Sequence, residues 1–269
     1  MSPETAHSEA ADQPQSSQRL MSAVRAFTTL SIGEMEVRGK DHLAEIPAGA
    51  HVVTAASHIS DMDMMPVLQT LGTDFDFVIT DQSVLRDVRR ELPNVVAHFI
   101  AGRRHFIPIS WHFDGEGKKH GQLNMKDFHP VREAMRHGKA VLMAAHNPSY
   151  GSLPKPGVGA MLIAETTPNV VILPVSVDVQ YKHPEQRSDF RGRVLGLLER
   201  PKAVVSIGHP IVPIERTDPA DLMIRPDHPA KAVRRVVTGM RDRSRVIMEQ
   251  LASMLPEGKR GMYRRTEQQ

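Results

Sequence analysis

The chain has 269 residues, 40% hydrophobic and 24% charged, a composition that suits one large α/β domain or two small ones and excludes collagen, coiled coil and wholly disordered chains. The absence of cysteine excludes disulfide scaffolds, cysteine-ligated zinc and cysteine nucleophiles. The formal net charge of +3 hides an asymmetry: residues 229–269 hold ten Lys/Arg against four Asp/Glu, net +6, which leaves the first 228 residues at −3. A basic end on a mildly acidic body suits an anionic partner, whether nucleic acid, an anionic membrane or an acidic carrier.

Residues 1–18 are polar, with no apolar stretch of the kind a secretory signal needs, and read as a disordered leader. Residues 20–32 carry Leu20, Val24, Phe27 and Leu30 near the helical period. The first convincing strand starts at His51, after the turn at Pro47 and Gly49. A helix is expected over 60–71, with Ser60 as cap and Asp63 three residues on in a capping-box arrangement. Strands follow at 75–80 and 97–108, the latter interrupted by Gly102, with a charged helical piece at 83–92 between them and a polar loop at 111–126 after them. A helix at 130–137 ends at Gly138 and leads into a strand at 140–145. A loop from Asn147 to Gly159, a short helix to Glu165, a strand at 170–177 and a last strand at 203–207 come next. One long helix over 229–255 closes the pattern. The alternation of β-branched runs and helical stretches is that of an α/β domain with a buried sheet. The expected division is a leader (1–18), one α/β domain (19–228) and a basic amphipathic helix and tail (229–269). The longest apolar runs fall far short of the roughly 20 residues that cross a bilayer, so a soluble or peripheral cytoplasmic protein is expected.

The chemistry concentrates at Ala56-Ser57-His58-Ile59-Ser60-Asp61-Met62-Asp63. With His58 in the loop after a strand and Asp63 in the first turn of the next helix, the two side chains can meet. A carboxylate on one imidazole nitrogen would fix the tautomer and leave the other nitrogen to take a proton from a hydroxyl or amine. The spacing alone is weak: 14 histidines and 16 aspartates in 269 residues supply about one such pair by chance, and His7 with Asp12 is another. A capping or core histidine is the plainer alternative.

The surrounding blocks are more specific. The stretch from Gly39 through Pro47 to Pro66, with its strand running into His58 and Asp63, resembles the opening block of the glycerolipid, or PlsC-like lysophospholipid, acyltransferase superfamily, with Ser57 where Asn is usual. The family's GxxxFIxR block resembles Gly102-Arg103-Arg104-His105-Phe106-Ile107-Pro108-Ile109, with Ile109 where the Arg stands. Its FPEGTRS block falls at Ala144 to Tyr150, His146 taking the Glu position and Ser149 the Arg position, or Asn147 the Glu position on a one-residue shift. The Pro154-Lys155-Pro156-Gly157 continuation and the strand ending at Pro174 follow in family order. The resemblance spans residues 37–180.

It implies a single α/β domain with a mixed, mainly parallel sheet flanked by helices. It also implies transfer of a fatty acyl group from acyl-CoA or acyl carrier protein to a hydroxyl of a lysophospholipid, glycerol phosphate or related acceptor. His58 would be the general base and Asp63 its partner, with Gly102, Arg103, Arg104, Phe106, Ile107, His146, Asn147 and Lys155 as candidate substrate-binding residues. The family's phosphate-clamping arginines are missing here. Arg103 and Arg104 either replace them or form a solvated surface pair. Met62, Met64, Met65, Val67 and Leu68 either line an acyl groove or belong to the core. No cofactor is expected and no residue is assigned to a metal. Two other readings stay open: a non-catalytic lipid-binding descendant of the fold, and a metal-dependent hydrolase using His58, Asp61 and Asp63. The apolar stripe of the C-terminal helix and the lack of a base-reading motif argue against nucleic acid. Its basic face is then a solvated surface or a docking face for anionic lipid at the inner side of a membrane.

Overall fold

The computed structural model describes residues 22, 25–26, 28–60, 63–71, 75–79, 106–108, 129–146, 149, 151–182, 199–223 and 225–264, with backbone alone at 75–79 and 106–108. The expected leader, the helix at 83–92 and the loop at 111–126 lie outside the described residues.

Seven strands form one sheet: β1 (Glu34–Arg38), β2 (His51–Ala56), β3 (Phe75–Ile79), β4 (Phe106–Pro108), β5 (Ala140–Ala144), β6 (Val170–Gln180) and β7 (Lys202–Ile207), in the order β1-β7-β6-β2-β5-β3-β4. Every pairing is parallel except β6 with β7. The mixed, mainly parallel α/β sheet expected from the sequence is therefore present. The helices are α1 (Met64–Leu71), α2 (His129–Arg136), α3 (Gly159–Thr166), α4 (Ala230–Arg243) and α5 (Arg245–Ser253).

Residues on the two sides of the central strands build two cores. Met65, Val67 and Leu68 of α1 pack with Leu142, Leu173 and Val175 on one face. On the other, Val53, Val141 and Ile172 meet Met135 of α2, Met161 of α3, Met240 of α4 and Leu251 of α5. Met65, Val67 and Leu68 are thus core residues, as the plainer reading of that run had it. Continuous apolar runs such as Val170–Leu173 are what a sheet covered on both faces requires.

Four expectations are corrected. No element is expected at 34–38 from the sequence, where the structure has the five-residue edge strand β1, with Glu34, Glu36 and Arg38 alternating with Met35 and Val37. Met35 and Val37 pack on the core, while Lys202 of β7 holds Glu34 at 2.8 Å and Glu36 at 3.1 Å, a charged edge that discourages pairing with another chain. Strand β6 runs three residues beyond its expected end, since it leaves β2 behind and pairs antiparallel with β7. The helix expected at 60–71 begins at Met64, because the Asp63 carboxylate reaches back and holds residues 59–60 in a turn. The single C-terminal helix is two, divided at Ser244, whose hydroxyl donates to the Met240 carbonyl at 2.8 Å. Such back-bonding by serine bends helices.

The connections after the adjacent parallel strands β2 and β5 depart to opposite faces, α1 lying on one and α3 on the other. In open α/β sheets this divergence opens a crevice at the carboxyl ends of the two strands, the usual place for a ligand.

Candidate active site

His58 lies two residues beyond the carboxyl end of β2, at that divergence. Ser57 anchors the turn to β6: its N–H donates to the Val175 carbonyl and its hydroxyl accepts from Val177 N–H, both at 2.9 Å. A fully buried serine is small enough to make both bonds inside the sheet, which accounts physically for a short polar residue here. From His58 onward the loop after β2 is laced to the loop after β5. His58 N–H donates to Nε2 of His146 at 3.1 Å, the His58 carbonyl accepts from Ser149 N–H at 3.1 Å, and the Ile59 carbonyl accepts from Gly151 N–H at 3.1 Å.

Asp63 is completely buried, and its Oδ2 accepts the backbone N–H groups of Ile59 at 2.6 Å and Ser60 at 2.7 Å. These bonds hold the carboxylate 4.0 Å from Nδ1 of His58, whose side chain is 12% exposed. The expected imidazole–carboxylate pair is brought together, but at ion-pair distance and beyond a hydrogen bond. Neither His58 Nδ1 nor Asp63 Oδ1 has a hydrogen-bond partner among the described residues. Burial pushes the Asp63 carboxyl up to about 8, against the opposing effect of the Ser60 and Ile59 amides and the Lys259 charge. Burial also lowers the His58 imidazole below its ordinary value, with the Ser60 backbone opposing. Both groups therefore favour their neutral forms.

Three side chains at this site escaped the sequence reading. The Tyr181 hydroxyl lies 3.1 Å from Ser60 Oγ. Lys259, from the turn at Glu257–Lys259, is ion-paired with the nearly buried Asp178 of β6 and donates to the Val179 carbonyl at 2.9 Å. Its own carbonyl accepts from Leu153 N–H at 2.9 Å, so the end of the chain closes over the loop between β5 and α3. Gly261 makes this approach feasible: its φ is +58°, and a Cβ there would lie 2.0 Å from the Leu153 carbonyl oxygen. Only Asp178, a charged residue within the largely apolar strand β6, signalled any of this.

The remaining candidates are dispersed. Gly102, Arg103, Arg104 and Asn147 lie outside the described residues. Phe106 and Ile107 belong to β4, three strands from β2, roughly 14 Å across the sheet. Lys155 is exposed in the loop before α3, whereas His146 is buried.

No protein-family model matches the chain, and no curated protein matches it. Among solved structures, the chain is similar to the 1-acyl-sn-glycerophosphate (LPA) acyltransferase PlsC from Thermotoga maritima, at 16% identity over 85% of this chain and 79% of that one, with a TM-score of 0.44.

Proposed function

We propose that this chain is an acyltransferase that moves a fatty acyl group from acyl-CoA or acyl carrier protein to the hydroxyl of a lysophospholipid, glycerol phosphate or related acceptor. The observation that carries the reading is the His58–Asp63 pair, enclosed at the carboxyl end of the central strand β2. The blocks of sequence resemblance from 37 to 180 supply the choice of substrate class.

Neutral His58, favoured by burial, takes the proton of the acceptor hydroxyl as its oxygen attacks the thioester carbonyl. Asp63 stabilises the imidazolium that results, in the manner of the acid in a serine-protease triad. Collapse of the tetrahedral species breaks the carbon–sulfur bond, and the departing thiolate recovers the proton from His58. The nucleophile belongs to the substrate, so the chemistry asks for no protein thiol.

The test is release of free thiol from an acyl thioester in the presence of a panel of lysolipids, glycerol phosphate and polar alcohols, with product lipids identified by mass spectrometry. Acceptor-dependent release that falls roughly 100-fold or more in His58→Ala supports the proposal. No release with any acceptor would favour a non-catalytic lipid-binding role instead. The metal-hydrolase alternative has less support: among the described residues no group of three metal-ligating side chains includes His58 or Asp63.

A further inference from the structure

We propose that His42, Glu45 and His209 form a binding site for a divalent transition-metal ion of the zinc type, a structural staple remote from the His58 site. Their candidate ligand atoms all lie within 4.8 Å of one another. His42 and Glu45 come from the same 3-10 turn, Lys40–Glu45, where three residues per turn place positions i and i+3 on one side. His209 follows β7. In sequence it is 164 residues from Glu45, so no local ligand spacing could announce the set.

His42 is oriented in the way a metal site needs. His42 Nδ1 lies 2.8 Å from the Ile207 carbonyl oxygen. A carbonyl only accepts, so Nδ1 carries the proton and the Nε2 lone pair is the one available for a metal. A ligating histidine whose other nitrogen donates to a backbone carbonyl is the recurrent outer support of zinc sites. Gly39 makes this support feasible: with φ +69°, a Cβ on it would lie 2.2 Å from the same Ile207 oxygen and 2.9 Å from His42 Nδ1. The His42 and His209 rings lie with centroids 3.8 Å apart, their planes tilted by 36°. His209 Nδ1 lies 2.8 Å from Glu45 Oε2, a separation at which the two share a proton.

Zinc bonded at about 2.0–2.2 Å to nitrogen and oxygen sets tetrahedral donors roughly 3.3–3.6 Å apart. The widest separation, at most 4.8 Å, must close and the 2.8 Å Glu45–His209 pair must open, and the 46% and 63% exposure of those two side chains leaves room for both movements. The ion takes the place of the proton between Glu45 and His209, the neutral His209 imidazole then carrying its proton on Nε2, and water completes the coordination. Two imidazoles and one carboxylate suit zinc, cobalt or nickel better than calcium or magnesium, which prefer oxygen alone.

The position defines the role. Strands β1 and β7 run against β6, β2 and β5, so their carboxyl ends, and this cluster, lie at the end of the strands opposite to the one that carries His58. A bound ion would tie the turn after β1 to the chain after β7, closing a long loop of sequence and adding to folded-state stability.

Titration of the metal-free full-length chain with zinc chloride, followed calorimetrically, tests the site. One equivalent is expected to bind with micromolar or tighter affinity and to raise the melting temperature. Binding should weaken at least 10-fold in His209→Ala and disappear in the His42→Ala/His209→Ala double variant. Cobalt(II) should give the visible bands of a four-coordinate site in the parent chain alone. If the double variant melts too low to titrate, Glu45→Gln serves in its place, with the same 10-fold loss expected. No binding by the parent, or one equivalent that survives these substitutions in folded protein, would overturn the proposal.

Discussion

The backbone N–H of His58 donates to Nε2 of His146 at 3.1 Å, joining the first residue of the proposed catalytic pair to the end of the neighbouring strand. An accepting Nε2 requires the tautomer protonated at Nδ1, and His146 is buried, so it acts on the geometry of the loop and thereby on the angle at which His58 leaves β2. His146→Ala is expected to lower kcat roughly 10-fold or more with a smaller change in KM. His146→Gln, whose side-chain oxygen can accept the same N–H, should recover part of the loss. Equal damage to KM and kcat, without rescue by glutamine, would argue that His146 contacts the acceptor instead.

Asp63 ties activity and stability to pH in opposite directions. Its folded-state carboxyl stands at about 8 against an ordinary 3.8, so the native chain binds a proton there that the unfolded chain has released. The stability this contributes is full below pH 3.8 and is lost as pH rises through about 8. His58, lowered by burial, acts the other way and loses stability as pH falls below its ordinary 6.5. Only ionised Asp63 can stabilise the His58 imidazolium, so turnover is expected to rise toward pH 8 while the melting temperature falls over the same range. Asp63→Asn should flatten that decline in melting temperature and cost roughly 100-fold or more in kcat. Calorimetric scans and thiol-release rates across pH 5–9 measure both.

What the sequence made legible, and what it did not, follows from the range of the interactions. Strands β2, β5 and β6 and the position of His58 were readable because apolar runs and a turn residue are local signals. The 4.0 Å gap between His58 and Asp63 was not, since it depends on two amides competing for the same carboxylate oxygen. Strand β1 escaped because its alternation covers five residues with two apolar positions, and its partner β7 lies far away in sequence. Lys259 counted in the sequence as one more charge of a basic tail, yet its partner Asp178 is 81 residues away. Pairing across such a separation leaves no pattern in a single chain.

Lys259 provides a second handle on the pair. Its charge opposes the burial of Asp63, and it neutralises Asp178. Lys259→Met should raise the Asp63 carboxyl further, moving the rising limb of the pH–rate profile to higher pH. It should also destabilise the fold by about 3–5 kcal/mol, the usual cost of stranding a buried charge. Lys259→Arg keeps the charge and should restore the position of the limb. A loss of stability with an unmoved pH profile would reduce Lys259 to a structural role.

The cations of the C-terminal helices divide into two kinds. Arg243 forms a two-pronged contact with Glu165, at 2.6 and 2.7 Å, whose side chain is only 1% exposed, and it also meets Glu215 at 2.8 Å. It is committed to the fold, and Arg243→Ala should cost about 3–5 kcal/mol by leaving Glu165 unpaired. Lys231, Arg234, Arg235 and Arg241 are exposed on α4, whose Val233, Val237 and Met240 are buried. If this face docks the protein on anionic lipid, each cation near the surface contributes on the order of 1 kcal/mol. Reversing Arg234 and Arg235 to glutamate should then abolish co-sedimentation with phosphatidylserine-containing vesicles while changing stability by no more than about 0.5 kcal/mol each. Binding by the parent should also weaken steeply with salt. Sedimentation that ignores both anionic lipid content and the charge reversal would leave the basic face as a solvated surface.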